Sequence, residues 1–353
     1  METRSDTSPG PTAQITATEV VLPGVVEPAG LQLRERVLAP PTAGHALVRV
    51  EASGVSFAEQ SMRRNRYPGQ PKFPFVPGYD LVGIVTSVGP DVDPELVGTR
   101  VAAMTKTGGW ATHALVGVID LVPVPDGVDP AEAETLVVNG LTAWQMLHRT
   151  ATIRPGQTIV VHGANGGVGT TLVQLAIHAG VRVIGTASPR HHDALRELGA
   201  VPVDYSDPDL TARVLELAPG GVDAVFDHIG GPTLASSYAM LGPDGTLVSY
   251  AIASASDTSS MYATFLAHLA RLARWNFLPN GHKATFYNVW GGHRIRPAHF
   301  RSRLQHDLAE VFDLLAAGVL TAQVAARVPL EQVSAAMELA ESRTVFGKVV
   351  LVP

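Results

Sequence analysis

The chain has 353 residues, more than a single hydrophobic core usually absorbs, so two domains and a sizeable buried interior are expected. Apolar residues make up 46% and charged residues 16%, which excludes an intrinsically disordered chain. A net charge of −6 leaves no polybasic footprint for nucleic acid or anionic lipid, and the absence of cysteine excludes disulfides and thiolate zinc sites.

Residues 1–13 are rich in Thr, Ser and Pro and lack both a basic and an apolar leader region, so they read as a flexible tail of a cytoplasmic protein. Nowhere do eighteen apolar residues run together, so no membrane span is expected. Over residues 14–124, short apolar runs at 46–50, 81–88, 100–103 and 113–118 are separated by Tyr67-Pro68-Gly69, Pro77-Gly78 and Gly89-Pro90. That texture predicts a strand-rich domain with irregular loops. After Asp129-Pro130 a helical stripe appears through Leu136, Leu141, Trp144 and Leu147. Strands at 159–162, 181–186, 224–227 and 246–250 then alternate with helices at 169–179, 191–198 and 234–241, as a doubly wound parallel sheet requires. Residues 261–304, with Phe265, Trp275, Phe277, Phe286, Tyr287 and Trp290, read as a partly helical excursion. Helical spacing resumes over 304–315, and 349–352 reads as a terminal strand.

The most informative stretch is Thr158-Ile159-Val160-Val161-His162-Gly163-Ala164-Asn165-Gly166-Gly167-Val168-Gly169, a buried strand running into a glycine turn and a helix. Glycine at the turn lets backbone approach a pyrophosphate, and the helix start offers free N–H groups, so the stretch predicts dinucleotide binding. Cofactor choice is read at the end of the second strand, Thr186-Ala187-Ser188-Pro189-Arg190-His191-His192, where no acid precedes Asp193. A carboxylate there would repel a 2′-phosphate, whereas Ser188 and Arg190 can bind one, so NADPH is the expected cofactor. The alternative is that Arg190 is a solvated loop residue.

Gly163 to Gly169, Asn139-Gly140-Leu141-Thr142-Ala143-Trp144 and Asp227-His228-Ile229-Gly230-Gly231 resemble the zinc-free, quinone oxidoreductase-like medium-chain dehydrogenase/reductases, including the vesicle amine transport protein-like group. The resemblance runs from about residue 15 to Glu341-Ser342-Arg343-Thr344-Val345-Phe346-Gly347-Lys348-Val349-Val350. It implies an α/β fold: a Rossmann domain over residues 139–300, and a GroES-like, partly open β-barrel catalytic domain split between 14–138 and 301–353. It also implies a homodimer with a small-molecule substrate in the interdomain cleft. On its motifs, Thr142, Asn165, Gly166, Gly167 and Val168 lie near the pyrophosphate and nicotinamide. Ser188, Arg190 and Tyr205 lie near the adenosine phosphate, and Ser249, Tyr250 and Ala251 border the nicotinamide. For Tyr205, a half-buried loop tyrosine is the competing reading.

Zinc-dependent relatives carry a cysteine where this chain has Ser56, and Gly-His-Glu where it has Gly78-Tyr79-Asp80, so no metal site is expected, at His191-His192 or elsewhere. Without a Lewis acid, a conjugated acceptor suits the site better, because charge can move onto a distant oxygen held by neutral donors. Tyr67 is the first candidate for that donor, and Ser56 stands where the family often has asparagine. Glu59, Tyr79 and Asp80 receive no catalytic role; a tyrosine packed beneath a loop and a carboxylate satisfied by backbone N–H groups account for the last two. Two further readings stay open: a tailoring reductase for large secondary metabolites, and a non-redox cyclase or nucleotide-sensing protein that retains the cofactor fold.

Overall fold

The computed structural model describes residues 15–254 and 261–353, so the tail read over 1–13 lies outside the described residues. The described chain opens with an antiparallel pair, β1 (Ile15–Val21) and β2 (Gln32–Leu38). There follow β3 (His45–Val55), α1 (Phe57–Arg63), β4 (Asp80–Val88), β5 (Arg100–Met104), β6 (His113–Gly117) and β7 (Leu121–Pro123). The alternating region comprises α2 (Pro130–Trp144), β8 (Thr158–His162), α3 (Gly167–His178), β9 (Arg182–Ala187), α4 (His192–Glu197), β10 (Val201–Asp204), α5 (Leu210–Leu217), β11 (Val222–Asp227), α6 (Thr233–Ala239) and β12 (Leu241–Ser249). After it come α7 (Met261–Trp275), β13 (Lys283–Phe286), α8 (Pro297–Ala316), β14 (Val324–Pro329), α9 (Val333–Glu341) and β15 (Lys348–Val352).

Two sheets carry the architecture, and together they form the α/β fold expected from the sequence. A six-stranded sheet has the order β10-β9-β8-β11-β12-β13, all of its pairs parallel. The order reverses between β8 and β11, so the crevice beyond their carboxyl ends is the topological switch point where such sheets bind ligands. The seven-stranded sheet runs β14-β15-β3-β4-β5-β7, with β6 on β3. Here β15 returns from the far end of the sequence to pair antiparallel with β3, Val349 opposite Val55.

Helix α2 joins the two halves. Asp129 caps it, accepting from the N–H groups of Ala131 (2.9 Å) and Glu132 (3.1 Å), and Pro130 occupies the first turn, where its missing N–H costs nothing. A side chain at Gly140 would press a Cβ to within 2.7 Å of Val311 in α8, so glycine sets the close approach of these two helices. The main apolar core runs continuously from Met62 of α1, Tyr79, and Val82 of β4 through Leu136 and Leu141 of α2 to Ile159, Val161 and Phe226 of the six-stranded sheet.

Several elements depart from the sequence reading, among them β1, β2, α1 and α8. Strands β1 and β2 were not expected, because β2 exposes nearly every side chain and β1 buries Glu19 between Arg34 (2.8 Å) and Arg36, a pattern that reads as loop. Helix α1 occupies a region with no helical periodicity; a capping box, Ser56 with Glu59, starts it instead. Helix α8 begins at Pro297, seven residues before the spacing suggests, because proline at the first turn starts it and Phe300 is already buried.

Candidate active site

Strand β8 delivers the chain to a turn at Gly163, whose φ of +63° favours glycine. A Cβ at Gly169 would lie 2.3 Å from the Gly163 carbonyl, and one at Gly167 would lie 2.2 Å from the Asn139 amide. Glycine is thus demanded by helix α3 passing over the turn and over α2. Gly166 caps α3 without a side-chain hydrogen bond, which leaves the first-turn N–H groups of Gly167 and Val168 for a ligand. A turn stripped of side chains at a helix start fits a pyrophosphate. Asn165 ties the turn to the segment before β15: its carbonyl accepts from Gly347 N–H at 2.9 Å, and its amide donates to the Val345 carbonyl.

The other cofactor candidates gather at the carboxyl ends of β9 and β12. Ser188 follows β9 and its hydroxyl accepts from Arg190 at 3.3 Å; Tyr205, 57% exposed, is tied by its N–H to the Ala187 carbonyl. The nearby Asp204 carboxylate is engaged by the Ser206 N–H and hydroxyl, which hold it below the usual aspartate range. At the end of β12, Ser249 is fully buried with its hydroxyl 2.9 Å from His268 Nε2 of α7, and the N–H of Tyr250 donates to the Asp227 carbonyl. Ala251 follows, half-buried. Thr142 sits in the last turns of α2, hydrogen-bonded to Tyr287, whose hydroxyl also donates to Gln145 at 2.9 Å.

Three residues at the turn were not singled out as site residues. His228, just past β11, lies so close to the turn that a Cβ at Gly163 would meet its ring at 2.3 Å. Burial pushes its imidazole down to about 4, so it is neutral, and its Nδ1 has no hydrogen-bond partner. Arg343 lies near enough to His228 to contribute to that depression, and Phe346 packs on His191 at 5.8 Å. All belong to motifs that carried the family resemblance, where spacing gave no reason to choose one residue over its neighbours.

Across the crevice, Ser56 is turned inward. Its hydroxyl accepts from Ala58 N–H at 3.1 Å and donates to the Glu59 carboxylate, whose other oxygen accepts from the Tyr79 N–H at 2.6 Å. Burial, with the Asp80 charge second, raises Glu59 to about 7. Asp80 itself is fully buried. One of its oxygens accepts from Val138 N–H (3.1 Å) and from Lys348 Nζ (2.8 Å), which also donates to Glu134 at 2.8 Å. All three side chains are at most 3% exposed. Burial, with the Asp80 charge second, raises Glu134 well above the usual glutamate range, and Lys348 opposes the rise.

The Tyr67 hydroxyl lies 2.5 Å from that of Tyr79, which receives the indole N–H of Trp290 at 2.5 Å. Of the aromatic segment, only its last part reaches this cleft: Phe265 packs edge-on against Phe286, and Trp275 stacks on Tyr238. Tyr287 N–H donates to the Ser249 carbonyl at 2.7 Å, and three residues later Trp290 meets Tyr79. Three residues of chain span at most about 10 Å. The tyrosine pair is thus linked to the strand end that borders the nucleotide crevice through segment 287–290. Among the described residues, no group of three His, Asp or Glu side chains is placed to hold a metal, and no helix is long and apolar enough to cross a membrane.

Comparison with known proteins agrees with this geometry. Residues 42–126 match the alcohol dehydrogenase GroES-like domain, and residues 198–351 match the zinc-binding dehydrogenase domain. A 2-haloacrylate reductase of a Burkholderia species is 31% identical over 328 residues, 89% of this chain and 92% of that protein. The human synaptic vesicle membrane protein VAT-1 homolog is 35% identical over 227 residues, 63% of this chain, and the match spans only 58% of its length. The Escherichia coli quinone oxidoreductase complexed with NADPH shares the fold with a TM-score of 0.84 at 27% identity, over 95% of this chain and 100% of that one. On fold, motifs and these relatives, the chain belongs to the quinone oxidoreductase-like branch of the medium-chain dehydrogenase/reductase family.

Proposed function

We propose that this protein is a zinc-independent, NADPH-dependent reductase of conjugated acceptors: quinones, enones or other activated carbon–carbon double bonds. The observation that carries the reading is the side-chain-free glycine turn at the switch point, with a phenol, Tyr67, tied through Tyr79 and Trp290 to the segment that meets the β12 strand end. NADPH is favoured over NADH by Ser188 and Arg190 beyond β9, with Tyr205 beside them, and it is the cofactor named in the Escherichia coli complex. Thr142, Asn165 to Val168, Ser249, Tyr250 and Ala251 would complete its site. When bound, NADPH supplies the reducing equivalent. The protein contributes the rest: backbone N–H groups for the pyrophosphate, a neutral His228 under the turn, and Tyr67 as hydrogen-bond donor to the oxygen where charge develops.

Ser56 and Tyr79 stand where zinc-dependent relatives carry thiolate and imidazole, and neither is a usual zinc ligand, which supports a metal-free reaction. Such a site favours substrates that delocalise their own charge. The inward turn of the small Ser56 side chain leaves room for a bulky acceptor, consistent with a tailoring role. The open outer edge of β13 and the exposed Phe277 and Leu278 beside it support a homodimer, and we place the enzyme in the cytoplasm.

The test is fluorescence titration of NADPH and NADH on the parent and on Arg190→Ala, then a 340 nm scan with small and large quinones and enones. Arg190→Ala should weaken NADPH binding about tenfold and leave NADH unchanged, as loss of one charge-assisted contact would. NADPH bound tightly but consumed with no acceptor would overturn the reductase reading and favour a non-redox role.

A further inference from the structure

The cleft contains three hydrogen-bonding groups in a row, and their chemistry fixes the direction of the row. An indole nitrogen can only donate, so Trp290 donates to the Tyr79 oxygen. The Tyr79 hydrogen then needs an acceptor, and the Tyr67 oxygen lies 2.5 Å away. In the opposite order Tyr67 would donate to Tyr79, and the Tyr79 hydrogen would be stranded in a site 3% exposed, where no other acceptor for it is recorded among the described residues. The consistent arrangement is Trp290 to Tyr79 to Tyr67. It leaves one hydrogen able to leave the row, on Tyr67, the half-buried member that opens to the cleft.

The rings hold this alignment. Tyr67 and Tyr79 meet edge to face at 80°, Tyr79 and Trp290 at 71°, and Trp290 stacks on Phe300 at 23°. His293 fixes the backbone by placing Nδ1 2.7 Å from the Trp290 carbonyl. The titratable neighbours of the pair are Glu59, whose carboxylate accepts from Tyr79 N–H, and Lys106, 5.9 Å from the Tyr67 ring. Burial raises both phenols, and the hydrogen bond from Tyr79 offsets part of the rise at Tyr67.

We propose that Tyr79 and Trp290 are positioning residues that aim and polarise the Tyr67 hydroxyl, so that the cleft selects acceptors whose conjugating group is a carbonyl oxygen. Alkenes activated by groups that accept hydrogen bonds poorly gain nothing from the row and are the poorer substrates. The proposal rests on the reductase reading for its substrate class, but the hydrogen-bond row can be tested without turnover.

In protein labelled with 3-fluorotyrosine, the Tyr67 fluorine resonance is identified by its loss in Tyr67→Phe. Its titration should move to higher pH in both Trp290→Phe and Tyr79→Phe, with NADPH affinity retained as the check on folding. An unmoved titration in both variants overturns the row, and if Trp290→Phe fails to bind NADPH, Tyr79→Phe alone decides. Kinetics test the consequence: each single variant should lower kcat on a quinone or enone about tenfold. In a Tyr67→Phe background the same substitutions should change kcat less than about twofold, because they act through Tyr67. Full-sized losses in that background would show independent structural roles and overturn the proposal. If no acceptor is reduced at all, the reductase reading and its substrate class fall, while the fluorine titration still decides the row.

Discussion

The two walls of the crevice are made in opposite ways. At the glycine turn the protein has removed side chains: Gly163, Gly167 and Gly169 bring backbone close, and the start of α3 is left without a side-chain cap. At the facing wall it has added them: Tyr67, Tyr79 and Trp290 are phenols and an indole whose polar atoms are held by one another. A backbone cradle is specified by one continuous stretch of strand, turn and helix. A side-chain wall is specified only when distant segments meet, and Tyr79 and Trp290 are 211 positions apart. The first tolerates almost no added atom, while the second depends on which atoms are present.

The largest break in this comparison is expected at the floor of the side-chain wall. Lys348→Met leaves Asp80 and Glu134 buried without their cation, and losing one partner of such a cluster costs about 3–5 kcal/mol, measurable by urea unfolding. A loss below about 1 kcal/mol would mean that the carboxylates need no cation. Next is the pH dependence of Glu59. Its acid is raised from 4.5 to about 7 in the folded state, so its contribution to stability is full below about 4.5 and fades as pH rises through 7. The shift amounts to about 3 kcal/mol. Glu59→Gln has no such proton to lose, so the stability of parent relative to variant should fall by about that much from about pH 4 to about pH 8. A constant difference would place Glu59 in an ordinary solvated setting. The smallest effect sharpens the backbone side: Gly169→Ala sets a Cβ against the Gly163 carbonyl and should weaken NADPH binding about 30-fold, or about 2 kcal/mol. The tyrosine titrations should be unaffected by it.

How much of this was legible in the sequence follows the same division. Strands β8, β9, β11 and β12 and the glycine turn are legible because each is local, and the carboxyl ends of these strands lie within one residue of the expected positions; β10 and α5 are not among the expected elements. Tyr67 was visible as a candidate through a family motif, and Ser56 through a departure from one. That the Ser56 hydroxyl caps α1 is signalled only by the capping-box spacing of Ser56 and Glu59, with no helical periodicity after it to mark the helix. Asp80 was expected to be satisfied by backbone N–H groups; one of them does bind it, but its stronger partner, Lys348, is 268 residues downstream. No periodicity reports such a partner. Trp290 lies among the aromatics of the 261–304 excursion, and nothing local in the sequence distinguishes it from Phe265 or Trp275, which pack elsewhere.

The Asp80, Glu134 and Lys348 cluster also bears on how the molecule is made. A ribosome has to extend the chain 214 residues beyond Glu134 before the ammonium that neutralises it exists. Until then the seven-stranded sheet lacks both that cation and the β15 strand that pairs with β3, whereas the segment for the parallel sheet is already complete at β13. Domains tend to fold as soon as their own sequence has emerged. The nascent protein should therefore hold a formed nucleotide half while its amino-terminal half waits open, and a holdase or bound dinucleotide acting in that interval would act on a half-built enzyme.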